Sequence, residues 1–203
     1  MKQKFVNRAF QIINKDGHCS VADERKLRYG LEGLYLHITK IAVLIIITGC
    51  LGLWKEFFLL VIVYTTFRTF GFGIHAKTTF WCWMTTIPIY VLGSFFVKYG
   101  SVPMMYFYII WAVCFIHFLL FAPADTPKRP LIRKHQRIRN RILICVTSIA
   151  YLIVINATQN TTLQNLVLYS MIVEMISIHP LTYLIFNTTY RNYKNYQKRL
   201  VEE

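Results

Sequence analysis

Residues 104–122 read MMYFYIIWAVCFIHFLLFA, nineteen positions without a single Asp, Glu, Lys or Arg. A helix needs about 20 predominantly apolar residues to cross a bilayer, and this run supplies them. The next stretch, 123–141, carries seven cations: Lys128, Arg129, Arg133, Lys134, Arg137, Arg139 and Arg141. A charge-free run followed by a dense basic loop is the pattern of a membrane span whose following loop stays on the cytoplasmic side.

Composition agrees. The chain has 203 residues, is 55% hydrophobic, and carries 23 Lys plus Arg against 9 Asp plus Glu, a net charge of +14. Only 16% of its residues are charged, whereas a soluble domain has about 25%. A nucleic-acid binder explains the charge but not the apolar runs, so no nucleic-acid partner is expected. The same runs exclude intrinsic disorder. The five Cys are an odd number, lie far apart and mostly sit inside apolar stretches, which argues against a secreted disulfide scaffold. The first thirty residues are too polar for a signal peptide, so the first apolar run is expected to stay in the mature protein.

Working outward from 104–122, five further spans are expected: Leu34–Leu53 with Lys40 inside it, the short Phe57–Phe67, Phe80–Val97 with a kink at Pro88, Ile142–Ala157, and Leu166–Phe186 with Glu174 and His179-Pro180 inside it. The expected fold is therefore all-α, a polytopic integral membrane protein with six transmembrane segments. Placing the N-terminus in the cytoplasm puts twenty cations on the inner side. These are seven in residues 1–30, Arg68 and Lys77, seven in 123–141, and Arg191, Lys194, Lys198 and Arg199 in the tail. Only Lys55 and Lys98 fall in outer loops. The uncharged stretch Thr158-Gln159-Asn160-Thr161-Thr162 suits the outer side. Both termini are then cytoplasmic, and the chain divides into a cytoplasmic amphipathic region (1–30), a six-span catalytic domain (31–186) with its basic loop, and a basic cytoplasmic tail (187–203).

Phe5, Val6, Ala9, Phe10, Ile12 and Ile13 fall on one side of a helix, with Lys4, Arg8, Gln11 and Lys15 on the other. This reads as an amphipathic helix on the inner leaflet, where anionic lipid attracts Lys and Arg. The alternative is a helix that simply packs on the loops.

The chemistry concentrates in residues 68–82, RTFGFGIHAKTTFWC, which combine His75 and Cys82 with two glycines and two cations at the cytoplasmic mouth of the third span. In one continuous helix seven residues place His75 and Cys82 about 10.5 Å apart along the axis. Proton transfer needs about 2.6–3.2 Å, so cooperation requires the backbone to fold back between them. Gly71 and Gly73 permit an irregular turn, and Thr78 or Thr79 is suited to cap the helix bearing Cys82. Cys82 would then lie in the first turn or two, where the helix dipole and an imidazolium favour the thiolate. Non-helical backbone at this depth requires a protein-covered or water-filled cleft. Spacing alone leaves the bland reading open, with the Cys a small apolar filler and the His a polar cap.

The pattern Arg68-x-x-Gly71-x-Gly73-x-His75-Ala76-Lys77-x-x-x-x-Cys82 resembles the signature of the AgrB family, the accessory gene regulator B proteins of Gram-positive bacteria, with Phe72 separating two glycines that are usually adjacent. Tyr29-Gly30-Leu31-Glu32 resembles the family's entry to its first span. Ala122-Pro123-Ala124-Asp125-Thr126-Pro127-Lys128-Arg129-Pro130 resembles its cytoplasmic loop. The resemblance covers nearly the whole chain. It implies a multi-pass cell-membrane cysteine endopeptidase that removes the acidic C-terminal tail of an AgrD-type propeptide and closes a thiolactone (or lactone) ring. Cys82 is then the nucleophile and His75 its general base, at a site facing the cytoplasm. No cofactor or metal is implied.

Other polar residues carry alternatives. The cations Lys128, Arg129, Arg133 and Lys134 either only hold the loop inside or also dock the acidic tail. Arg68 and Lys77 are candidates to clamp substrate carboxylates. Asp125 either orients His75 or makes a turn beside Pro123 and Pro127, the turn being the simpler reading. Glu174, an acid inside a span, is by default a functional candidate, with Lys40 as a suggested partner. His37, His117 and His179 show no metal-ligand spacing. The competing functions are a small transporter, motivated by Glu174 and Lys40, and a peptide-binding scaffold. A homodimer is the default assembly, closed two-fold pairs being commonest.

Overall fold

The apolar runs fold as helices. A computed structural model describes residues 2–14, 20–74, 78–127, 130–194 and 196. Among them are eight helices: α1 (Lys2–Ile13), α2 (Val21–Cys50), α3 (Trp54–Gly71), α4 (Thr79–Tyr99), α5 (Met104–Phe121), α6 (Lys134–Thr158), α7 (Thr161–Ile178) and α8 (Pro180–Ile185). They form two compact units, Met1–Cys50 and Leu51–Glu203.

In the first unit, Ser20 Oγ accepts from the Asp23 amide at 3.2 Å, satisfying one of the donors that a helix start leaves over. Helix α1 lies against α2. Lys2 pairs with Glu32 at 2.9 Å, and Arg28 bonds Glu24 and Asn7, each at 2.8 Å. Phe5 packs on Tyr35, and the Arg28 guanidinium lies 4.5 Å from the Phe10 ring centre. The apolar side of α1 is thus divided: Val6 is buried, whereas Ile12 and Ile13 stay exposed.

In the second unit α3 and α7 form the centre. Helix α3 packs on α4, α6 and α7, and α7 packs on α3, α4, α5 and α6. The buried side of α3 is Phe57, Leu60, Val63, Phe67 and Gly71, spaced three or four residues apart as one helical face requires. Phe67 stacks on Tyr151 and leans on Phe118, joining α3 to α5 and α6. Helix α7 buries polar residues as well: Gln164, Asn165, Ser170 and Glu174. Within a bilayer such groups turn toward protein rather than lipid. Gln164 and Asn165 donate to the carbonyls of Val102 (2.7 Å) and Gly100 (2.8 Å), while Lys98 donates to the Gly52 carbonyl at 2.8 Å. The short connections 51–53, 100–103 and 159–160 therefore gather at one end. The opposite end gathers residues 71–74, 122–125 and the close of α7, through bonds described below.

Five helices are long and apolar enough to cross a membrane: α2 from Asp23, α4, α5, α6 and α7. Six spans were expected. The remaining one, α3, has the 18 residues needed but carries Lys55, Glu56 and Arg68. Boundaries also differ. Helix α6 starts at Lys134 instead of Ile142, because Arg, Gln and Lys are good helix formers and nothing before Ile142 breaks the turn. It ends where Gln159 adopts φ 52°. Helix α7 starts at Thr161, capped by Asn160, whose side chain accepts from the Leu163 amide at 2.9 Å. It stops at Ile178 instead of running to Phe186, because Pro180 has no N–H with which to continue the ladder. The chain restarts there as α8, with Pro180 in its first turn. Helix α4 continues through Pro88.

Candidate active site

Cys82 sits in the opening turn of α4. Thr78 is the N-cap, extended at φ −116° and ψ 154°. Its Oγ1 accepts from the Trp81 amide at 3.3 Å, and its carbonyl accepts from the Cys82 amide at 3.1 Å. The expected cap is thus present, and it fixes where the helix dipole begins. The Cα–Cβ bonds of a helix tilt toward its N-terminus, so the Cys82 side chain leans to the positive end. Cys82 is half-buried, whereas Cys114 and Cys145 are buried within α5 and α6 and Cys50 is exposed at the end of α2. Among the described cysteines only Cys82 lies in the first turns of a helix. Its expected partner His75 and the neighbouring Lys77 lie outside the described residues.

The segment leading toward His75 is described up to Ile74, and it is tied on every side. Phe72 and Gly73 both have positive φ, 67° and 70°, a region costly for a residue with a Cβ. The Gly73 amide donates to the Ala124 carbonyl and the Ala124 amide to the Gly71 carbonyl, each at 3.0 Å. The Ile74 amide donates to the Ser177 carbonyl at 3.0 Å, and the Ile74 carbonyl accepts from Arg68 Nη2 at 2.6 Å. Arg68 Nη1 also donates to Ser177 Oγ at 2.8 Å and lies 3.4 Å from Glu174 Oε2. Glu174 is fully buried, and Ser177 Oγ lies 3.1 Å from its Oε2. Arg68 is thus a cation beside Glu174, a partner that the sequence did not suggest. Both glycines are required by this packing. A Cβ at Gly71 would fall on the Glu174 carboxylate, and one at Gly73 on Arg68 Nη1 and Ser177 Oγ.

Asp125 organises the neighbouring loop. It is buried, and its two oxygens accept three backbone amides: Asn192 on Oδ1 at 2.9 Å, and Tyr193 (2.8 Å) and Leu131 (3.3 Å) on Oδ2. Tyr183 adds its hydroxyl to the carbonyls of Ala124 and Asp125, each at 3.1 Å. Asp125 thus makes a knot joining residues 122–131 to the chain after α8.

The basic loop divides by role. Arg137 Nη1 donates to the carbonyls of Leu131 (2.6 Å) and Ile132 (2.8 Å), with its guanidinium 3.9 Å from the Tyr193 ring centre. Arg141 Nε donates to the Ala122 carbonyl at 2.8 Å. These two brace the loop, a role sequence reading missed because backbone acceptors leave no trace in composition. Arg133 and Lys134 are exposed at the N-terminus of α6. Lys128 and Arg129 lie outside the described residues. A cation at a helix N-terminus is disfavoured by about 0.3–1 kcal/mol, so Arg133 and Lys134 are not there to stabilise α6. Elsewhere, His117 and His179 stack with ring centres 5.2 Å apart, beside Phe121. Among the described residues no group of three or more His, Cys, Asp or Glu forms a metal site.

With this geometry in hand, comparison with known proteins is decisive. The chain matches the profile of accessory gene regulator B over residues 6–178. It belongs to the AgrB family. It is 31% identical over 179 residues to an AgrB-like protein of Listeria monocytogenes serotype 4a, covering 85% of this chain and 84% of the relative. It is 25% identical over 177 residues to one of Clostridium acetobutylicum, covering 86% and 84%. It is also 28% identical over 135 residues to accessory gene regulator protein B of Staphylococcus carnosus, covering 65% and 69%. No solved structure matches. AgrB proteins are a peptidase family of multi-span membrane proteins from Gram-positive bacteria, and membership implies a role in processing an AgrD-type propeptide.

Proposed function

We propose that this protein is a membrane-embedded cysteine endopeptidase that cleaves the acidic C-terminal tail from an AgrD-type propeptide and closes the remaining core into a thiolactone or lactone ring. The observation that carries this reading is the placement of Cys82 in the Thr78-capped first turns of α4, within the family signature that also contains His75. In the proposed topology α3 is a sixth span, its charges placed at its ends. The end holding residues 71–74 and 122–125 faces the cytoplasm, as do both termini, and the exposed Ile12 and Ile13 of α1 enter the inner leaflet.

The chemistry follows from the residues. His75 takes the Cys82 thiol proton, and the thiolate attacks the scissile carbonyl. Developing negative charge on the carbonyl oxygen meets the positive end of α4. The Cys82 amide is engaged by the Thr78 carbonyl and the Trp81 amide by Thr78 Oγ1. The amides of Thr79 and Phe80, which have no acceptor within the helix, are the oxyanion donors on offer. His75 returns the proton to the departing amine, and the acidic tail leaves. The remaining Cys82 thioester is attacked by a thiol or hydroxyl of the peptide core, which closes the ring and regenerates Cys82. Water competes with that step, so the site must exclude it.

Arg133 and Lys134, with the N-terminus of α6 behind them and Lys128 and Arg129 beside them in sequence, receive the acidic tail. The Arg133→Glu/Lys134→Glu variant tests this with purified protein in vesicles and a synthetic propeptide, the ring product being lighter than the linear core by one water. Two exposed ion pairs at up to about 1 kcal/mol each predict a KM raised by up to about thirtyfold with kcat retained. The effect should shrink in high salt. Acids at a helix start are favoured, so folding should be unharmed. An unchanged KM at low salt would refute the docking role.

A further inference from the structure

We propose that Arg68, Glu174 and Ser177 are positioning residues that set the chain entering His75, and so place the general base of the reaction proposed above, on which this inference rests.

The cluster's bonds converge on one peptide unit. Both polar groups of Ile74, the residue before His75, are held. Its amide goes to the Ser177 carbonyl at 3.0 Å and its carbonyl takes Arg68 Nη2 at 2.6 Å. Arg68 is itself oriented by Ser177 Oγ and Glu174 Oε2, 2.8 and 3.4 Å from Nη1. The guanidinium fork is therefore divided, one nitrogen toward the end of α7 and the other on the loop. Glu174 touches the loop a second way, since its carboxylate occupies the space a Cβ at Gly71 would need.

Stability does not account for this arrangement. Glu174 has no exposed surface and the Arg68 side chain only 22%. Removing such a pair from water costs several kcal/mol per ion, and a well-packed apolar replacement is often neutral or stabilising. The segment it holds is also one the backbone does not favour, because Phe72, which carries a Cβ, lies at positive φ. Strain of that kind persists only where surrounding contacts over-determine it. A buried, costly ion pair that holds Ile74, between that strained turn and the base, fits a requirement for precise placement, since a displacement of about 1 Å can cost about 10²-fold in rate. This assigns Arg68 to the chain leading into the base rather than to the substrate. It gives Glu174 a task that neither transport nor a pairing with Lys40 supplies.

The test uses full-length protein in vesicles, a synthetic propeptide, and the variants Glu174→Gln, Ser177→Ala and Arg68→Lys. Two quantities are read: the split between kcat and KM, and the pH profile of Cys82 alkylation by iodoacetamide, with His75→Ala as reference. Glu174→Gln should lower kcat by about 10²-fold at unchanged KM and move the alkylation profile toward that of His75→Ala. Arg68→Lys keeps the charge but loses the fork, and should not restore kcat. If Glu174→Gln fails to fold, Ser177→Ala carries the test, because it removes one hydroxyl. It should lower kcat at unchanged KM and unchanged melting temperature. A raised KM with wild-type kcat would mean that the cluster contacts substrate. Wild-type kcat and alkylation profile in the folded variants would also overturn the proposal. A wild-type protein that does not cleave the propeptide would instead overturn the peptidase reading, and the alkylation profiles would still decide the positioning role.

Discussion

Cys82→Ala is expected to lower propeptide cleavage by about 10⁴-fold or more, the scale on which removal of a covalent nucleophile acts, and to leave the folded protein otherwise intact. The two halves of this expectation have separate grounds. Cys82 is half-buried at a helix start and is absent from the packed core, which is built from Phe67, Phe107, Phe118, Ile144, Met171 and their neighbours. Its amide and carbonyl bonds, to Thr78 and from Thr86, belong to the backbone and survive the substitution. The larger loss is expected in the chemistry, because the nucleophile itself is removed. Cys114→Ala should behave in the opposite way. That side chain is buried against Met175, with the sulfurs 3.8 Å apart, and its removal should lower stability but not the rate per folded molecule. Mass spectrometry of the released tail, set beside a melting curve for each variant, separates the two. Loss of stability without loss of rate in Cys82→Ala would remove it from the mechanism.

Asp125→Asn is expected to destabilise the second unit by about 3 kcal/mol or more, although it changes one atom. Both carboxylate oxygens accept backbone amides, one on Oδ1 and two on Oδ2. An amide side chain accepts on one side only and would turn its NH₂ against an N–H on the other. Each buried donor left unsatisfied costs about 1–3 kcal/mol, and the site is closed to water on the strength of Asp125's 2% exposure. Alanine should be similarly severe. Thermal unfolding in vesicles measures the loss, and protease nicking after α8 should accompany it, because residues 192 and 193 lose their anchor. A melting temperature equal to wild type would show that the knot contributes nothing.

The helices were legible because lipid and protein interior both favour apolar residues, so long charge-free runs mark spans directly. The same fact hides which faces meet. Leu92, Val113 and Ile153 are exposed and as apolar as the buried Leu168, so no inside–outside pattern reveals the packing. The signal that sequence reading underused was the polar one. Gln164, Asn165, Ser170 and Glu174 along one span mark a helix surrounded by protein, and α7 is that helix. The Thr78 cap and the turn at Gly71–Gly73 were legible from local chemistry. The Arg68–Glu174 pair was not, being 106 residues apart in the chain with several other cations available to Glu174. Nor was the division of the basic loop, since Arg137 and Arg141 bind backbone carbonyls that every residue possesses.

The most direct test of the covalent route uses a propeptide whose ring-closing residue is replaced by alanine. Ring closure is then blocked, and the acyl group should remain on the enzyme until water removes it. Incubation with wild-type protein in vesicles, acid quench, digestion and mass spectrometry should show the propeptide, less its acidic tail, attached to the peptide containing Cys82. Hydroxylamine should release it, as it does thioesters. An adduct on another residue, or release of the tail at the wild-type rate by Cys82→Ala protein, would contradict the account.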